Sequence, residues 1–120
     1  MNRNRALWIV QGLLAALFLF AGGMKLITPV EVLSAVSPFP GAFIRVIGIC
    51  EVLGAVGLIL PWALDVAPVL TPLAAAGLAL TMAGAVVVHL RRGDQPKELV
   101  PGLVLGLLSL FVAVARFGQL

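Results

Sequence analysis

The sequence of 120 residues is too apolar for an ordinary soluble domain, because 62% of its residues are hydrophobic and only 11% are charged. Its net charge is +3, but the basic residues lie near the termini and in short connections, which argues against a nucleic-acid partner. The single cysteine, Cys50, excludes an intrachain disulfide and a C-x-x-C redox pair. The composition therefore predicts an integral membrane protein.

Four segments have the length and apolarity of membrane-spanning helices, which need roughly 20 mostly apolar residues. The first is expected to end before Thr28-Pro29 and the second before Pro61, because proline does not continue a helix, and the third to begin with Thr71 as its N-cap. The first segment also has the basic start of a secretory signal peptide, but its apolar run is longer than usual for one. The predicted spans are residues 7–27, 42–60, 71–90 and 99–117.

The connections between the spans predict their arrangement. Those after the second and third spans are short, so neighbouring helices are expected to be antiparallel, with both termini on one side of the membrane, here called side A. The longer first connection predicts a short interfacial helix over residues 30–36, ended by a turn at "PFPG", residues 38–41. We therefore expect an all-α polytopic membrane protein, a single membrane domain over residues 1–120 built as an antiparallel four-helix bundle.

The first span carries its two polar residues on one face. Gln11, Gly22 and Lys25 recur at helical spacing, and the opposite positions are apolar, so this face is predicted to turn toward the bundle. Glu51 lies about 13 Å into the second span at 1.5 Å per residue, where a charged side chain costs roughly 2.5–3.5 kcal/mol. Glu51 must therefore be paired or protonated, and Lys25 is the predicted partner.

A ligand-binding site is predicted near the opposite membrane surface, side B. Lys25 and Glu51 would form its floor, and His89 at the end of the third span and Arg45 at the start of the second would lie toward its rim. The alternatives are ordinary interface anchors for Lys25, Arg45 and His89, and a purely structural clasp for the Lys–Glu pair. His89 with Glu51 is too sparse for a metal site, so no metal is predicted.

Small residues recur at helical spacing in the second, third and fourth spans, and Gly22 lies on the polar face of the first span. In lipid, such residues let helices approach closely. The main interpretation is packing within the bundle, and the alternative is dimerisation through the Gly102-x-x-x-Gly106 face. The predicted packing residues are Gly22, Gly48, Gly54, Gly57, Gly84, Gly102 and Gly106.

Three stretches of the chain carry a resemblance to a known family. "FLFAGGMKL" (residues 18–26), "FIRVIGICEVLGAVGLILP" (43–61) and "AGAVVVHLRRGD" (83–94) resemble the DoxX family of small four-helix membrane proteins, in particular its DoxX-like branch. That pattern has a Gly shortly before a Lys at the end of the first helix, a Glu before a glycine-rich run in the second, and His-Leu-Arg-Arg after the third. The matching positions here are Gly22 and Lys25, Glu51 with Gly54 and Gly57, and His89 with Arg91 and Arg92.

The resemblance implies an accessory subunit of a membrane redox or quinone-linked system in the bacterial cytoplasmic membrane. The implied cofactor is a quinone, and the implied partner is a redox enzyme. Membrane lipid is a further expected partner because of the apolar spans, and further copies of the chain are expected if the protein is a translocator. Because the sequence has no flavin or dinucleotide fingerprint, it is not expected to form a complete oxidoreductase alone. Two alternatives stay open: a protein that binds or translocates a small solute or a proton through Glu51, and an assembly scaffold.

Overall fold

The four predicted spans are long helices in the structure. The computed structural model describes residues 2–36, except for the side chain of Val36, and residues 39–120. Within these ranges the chain forms no strand, and its four long helices are apolar enough to cross a membrane. The helices are α1 (Arg3–Ile27), α2 (Val30–Val36), α3 (Gly41–Leu64), α4 (Leu70–Arg92) and α5 (Pro96–Phe117).

The short helix α2 confirms the prediction for residues 30–36, whereas the predicted "PFPG" turn lies partly outside the described residues. In the bundle, α1 packs along α3, α3 along α4 and α4 along α5, and a lighter contact between α5 and α1 closes the ring. Arg116 near the end of α5 bonds to Gln11 in the first half of α1, so both termini lie on side A. The fold is therefore the predicted antiparallel four-helix membrane bundle.

The helix α3 does not end at Pro61 as predicted but continues to Leu64. Pro61 has no N–H to donate to the carbonyl oxygen of Gly57. The hydroxyl of Thr71 donates to that oxygen instead, at 2.8 Å. The prediction that Thr71 is an N-cap was therefore wrong: α4 begins one residue earlier, and the buried Thr71 side chain satisfies the carbonyl that Pro61 leaves unpaired.

Most of the predicted packing glycines lie at close helix contacts. A Cβ on Gly22 would lie 2.7 Å from the carbonyl oxygen of Gly48, and one on Gly54 would lie 2.8 Å from the Leu78 side chain. Gly84 is an exception, because a Cβ there would meet nothing within 4 Å. The other close pairs are Gly48 with Lys25, Gly57 with Ala74, Gly102 with Val86 and Gly106 with Met82.

These contacts also bear on the dimerisation alternative. The Gly102-x-x-x-Gly106 face of α5 packs against α4 of the same chain, with a Cβ on Gly106 only 3.1 Å from the Cβ of Met82. The small residues on this face therefore serve packing within the bundle, as the main interpretation predicts.

Candidate functional site

The structure brings Lys25 and Glu51 together inside the side B half of the bundle. Lys25 Nζ lies 2.7 Å from Glu51 Oε1, and the side chain of Glu51 is only 2% exposed, whereas that of Lys25 is 30% exposed. The glycines beside them make this contact possible. Gly22 lies against Gly48, and a Cβ on Gly48 would lie 2.6 Å from the Cβ of Lys25. The close approach of α1 and α3 therefore positions the ion pair.

Lys25 is the partner of the Glu51 carboxylate, because its Nζ lies 2.7 Å from Oε1, a distance typical of a charge-assisted contact. Oε1 is buried, and no second donor reaches it among residues 2–36 and 39–120. A carboxylate oxygen in this position has unused capacity to accept a donor.

The ion pair lies in the wall of a cavity of about 650 Å³. This volume falls within the range of about 300–1,000 Å³ that is typical of small-molecule sites. The wall is mostly apolar and comes from α1, α2, the connection before α3, α3 and α4. The lining residues are Lys25, Leu33, Phe39, Phe43, Ile44, Ile47, Glu51, Leu80, Thr81, Met82, Gly84, Ala85, Val88, His89 and Arg92.

The cavity forms because α3 and α4 separate toward side B. The two helices are in contact where Gly54 meets Leu78, whereas farther toward side B Ile47 of α3 and Ala85 of α4 both line the cavity. Gly84 belongs to this wall, which explains the open space around it. Phe43 and Leu80 line the cavity and are 48% and 75% exposed, so the cavity reaches the outer, lipid-facing surface of the bundle.

His89 lines the cavity near its side B end, and its ring is hydrogen-bonded to a residue that the sequence did not single out. His89 Nδ1 lies 2.6 Å from Asp94 Oδ2, and Arg92 Nε lies 3.8 Å from the same oxygen. Glu98 completes a group of three potential ligand atoms within 4.8 Å of one another. This group was missed because Asp94 and Glu98 follow the turn at Gly93, and only that turn returns them to His89.

The structure places Arg45 apart from the other predicted site residues. Its Nη2 donates to the carbonyl oxygen of Thr28 at 2.6 Å, and it is not among the cavity-lining residues. Thr28 is the C-cap of α1, so the guanidinium lies at the negative end of the α1 helix dipole. Arg45 therefore holds the end of α1 against α3 in this structure.

A second buried polar group lies in the side A half of the bundle. Arg116 is fully buried, and its Nε donates to Gln11 Oε1 at 2.7 Å. The guanidinium carbon lies 4.6 Å from the ring centroid of Trp62 and 5.4 Å from that of Trp8, which are cation–π distances. Both tryptophans contact Arg116 and help to join α5 to α1 and α3.

Comparison with known proteins shows the family of this chain. The sequence profile of the DoxX-like family matches residues 9–112. No curated protein matches the chain. No solved structure matches it either. The matched region covers most of the bundle and includes Lys25, Glu51 and His89, and on this ground the chain belongs to the DoxX-like family of integral membrane proteins.

Proposed function

We propose that the protein binds the head group of a lipophilic molecule, with a quinone as the leading candidate, and acts as an accessory component of a membrane redox system. The observation that carries the proposal is the ion pair of Lys25 and Glu51 in the wall of a largely apolar cavity. Ionisable groups at membrane depth are costly and usually functional. A clasp that only held the helices together would need no space beside it.

Lys25 and Glu51 are both positioned to contact a ligand in the cavity. The side chain of Lys25 is 30% exposed, and its ammonium has three N–H groups, so it can donate to a ligand oxygen beyond its contact with Glu51. The carboxylate of Glu51 is suited to exchange a proton with that ligand, as general acid–base chemistry requires. His89 lines the cavity near its side B end, where it can pass protons between the cavity and the side B surface.

The route of access favours a ligand that arrives from lipid. The cavity reaches the outer surface between α3 and α4, where Phe43 and Leu80 are exposed to the hydrocarbon. An apolar tail can remain among lipid chains while its polar head reaches Lys25. A quinone has this division between head and tail, and its redox chemistry belongs to the ligand and to a partner enzyme.

The side A half of the bundle favours binding over translocation. Arg116, Gln11, Leu7 and Leu14 are fully buried there and fill the space between the helices. A solute or proton pathway from Glu51 to side A would have to displace this group. This packing supports a binding component over a translocator. The proposal further assigns the protein to a bacterial cytoplasmic membrane and to contact with a redox enzyme or a second copy of the chain.

The test is to identify what the protein carries from its native membrane. The protein is extracted in polymer-bounded native nanodiscs, and the bound lipophiles are measured by mass spectrometry against bulk membrane lipid. We expect a quinone or related lipophile to be enriched with the wild type and lost with Glu51→Gln. The matched control is Glu31→Gln, since Glu31 is exposed on α2 and does not line the cavity.

If the cavity binds the lipophile, its enrichment must depend on the residues that line the cavity. No lipophile enriched above bulk lipid, or equal enrichment with Glu51→Gln, would overturn it and would leave the pair as a structural clasp. Circular dichroism of each variant in the same nanodiscs would establish that the helices are intact.

A further inference from the structure

We infer that the site selects a neutral hydroxyl donor, that is, a phenol or alcohol group at the end of an apolar body, over a carbonyl group in the same place. If the ligand is a redox-active ring, the site is therefore expected to bind its reduced form, which carries hydroxyl groups, more tightly than its oxidised form. The inference rests on the proposed binding function and adds to it the hydrogen-bonding character of the ligand.

The first argument is the unused acceptor capacity of the Glu51 carboxylate in the cavity wall. The Glu51 side chain is 2% exposed, and among the described residues no donor besides Lys25 Nζ, 2.7 Å away, reaches its Oε1. A buried carboxylate with few donors gains from each further hydrogen bond, so a ligand that brings a donor is favoured. An ionised carboxylate only accepts hydrogen bonds, so the ligand must be the donor.

The second argument is that one hydroxyl can satisfy both charged groups. Its O–H donates to the Glu51 carboxylate, and its oxygen accepts from an N–H of Lys25. A carbonyl oxygen accepts from Lys25 equally well, but it supplies no donor to the carboxylate and brings its own lone pairs next to it. A cationic donor such as an ammonium group would meet the like charge of Lys25. Between a neutral hydroxyl and a carbonyl, only the hydroxyl supplies both the donor and the acceptor on one oxygen.

The third argument is that most of the other cavity-lining side chains offer no competition for the head group. Ile47, Leu80 and Val88 are apolar. The hydroxyl of Thr81, which also lines the cavity, already donates to the carbonyl oxygen of Gly77 at 2.9 Å. The choice between a hydroxyl and a carbonyl is therefore made by Lys25 and Glu51.

The experiment compares three probes with one ring and one decyl tail: the benzoquinol, the corresponding benzoquinone, and the dimethyl ether of the quinol, which has no O–H. Binding to the full-length protein in phosphatidylcholine nanodiscs is measured anaerobically by calorimetry. We expect the quinol to bind about 10- to 100-fold more tightly than the quinone or the ether, as one hydrogen bond to a buried charged group implies. Glu51→Gln should reduce this preference below about threefold, because an amide both donates and accepts, whereas Glu31→Gln should keep it.

The wild-type comparison decides the inference without any variant. Equal binding of the three probes, or tighter binding of the quinone, would overturn the hydroxyl preference and leave the proposed binding function standing. Binding of none of the probes would overturn both. A preference that survived Glu51→Gln would assign the selection to another residue and would also overturn the inference.

Discussion

Gly22 and Gly23 are adjacent glycines in α1 with opposite surroundings, so alanine at each position tests how the ion pair is positioned. A Cβ on Gly22 would lie 2.7 Å from the carbonyl oxygen of Gly48 and 3.0 Å from the Cβ of Glu51. A Cβ on Gly23 would meet nothing within 4 Å. We expect Gly22→Ala to destabilise the protein and Gly23→Ala to be neutral or stabilising.

The magnitude follows from the distances. Ordinary van der Waals contact begins at 3.4 Å, so Gly22→Ala requires α1 and α3 to separate locally by about 0.7 Å. Overpacking of this kind typically costs about 1–3 kcal/mol. Both substitutions gain about 1 kcal/mol of helix propensity, and this gain cancels when the two variants are compared. The free energy of unfolding of Gly22→Ala should therefore be about 1–3 kcal/mol below that of Gly23→Ala.

The assay is reversible unfolding in mixed micelles with increasing dodecyl sulfate, followed by circular dichroism. The two variants differ by one position and carry the same chemical change, so each is the control for the other. An unfolding free energy of Gly22→Ala equal to or above that of Gly23→Ala would refute the close approach of α1 and α3 at this point. It would also remove the structural reason for the short distance between Lys25 and Glu51.

Three further substitutions test other buried contacts in the same unfolding assay. Lys25→Met should cost about 3 kcal/mol or more by stranding the buried carboxylate of Glu51, and the double variant Lys25→Met with Glu51→Leu should recover much of that loss. Arg116→Met should cost about 2–4 kcal/mol, because it removes several hydrogen bonds and leaves a buried amide oxygen unpaired. Thr71→Val should cost about 1–3 kcal/mol, because Pro61 cannot supply the missing donor.

Each of these substitutions has its own control. Thr81→Val removes a hydroxyl whose acceptor, the carbonyl of Gly77, lies within the same helix four residues earlier, so it should cost less than about 0.5 kcal/mol. Arg5→Met removes an exposed arginine and should also be nearly neutral. If the Lys25→Met variant were as stable as the double variant, the pair would not be coupled. Equal effects of Arg116→Met and Arg5→Met, or of Thr71→Val and Thr81→Val, would contradict the buried roles described here.

The inward face of α1 could be predicted from the sequence, because polar side chains in a span are unfavourable in contact with hydrocarbon and therefore face the other helices. Gln11 and Lys25 recur at helical spacing in an otherwise apolar span, and Glu51 is too deep to reach water. In the structure Gln11 and Glu51 are buried and Lys25 contacts Glu51. The ligand-binding role of these residues stays a prediction, because the structure shows which of them lie close together and does not show what they bind.

Other features could not be predicted because they depend on which parts of the chain meet. Arg116 is near a helix end, a position typical of an interface anchor, yet it is fully buried between two tryptophans from other helices. Pro61 indicates a helix end, yet α3 continues because Thr71 reaches it from α4. These outcomes follow from distances across the bundle, which local patterns do not contain.

By itself, the sequence determined that this is a membrane protein with four spanning helices, which of its faces are polar, and which family it resembles. The physical reason is that a span must be long, apolar and helical, and each of these requirements is local. Only the tertiary structure decided that α3 and α4 separate into a cavity beside Lys25 and Glu51, and that Arg45 turns to the end of α1. Cavities and contacts between helices arise from packing in three dimensions, where the distance between side chains is independent of their separation along the chain.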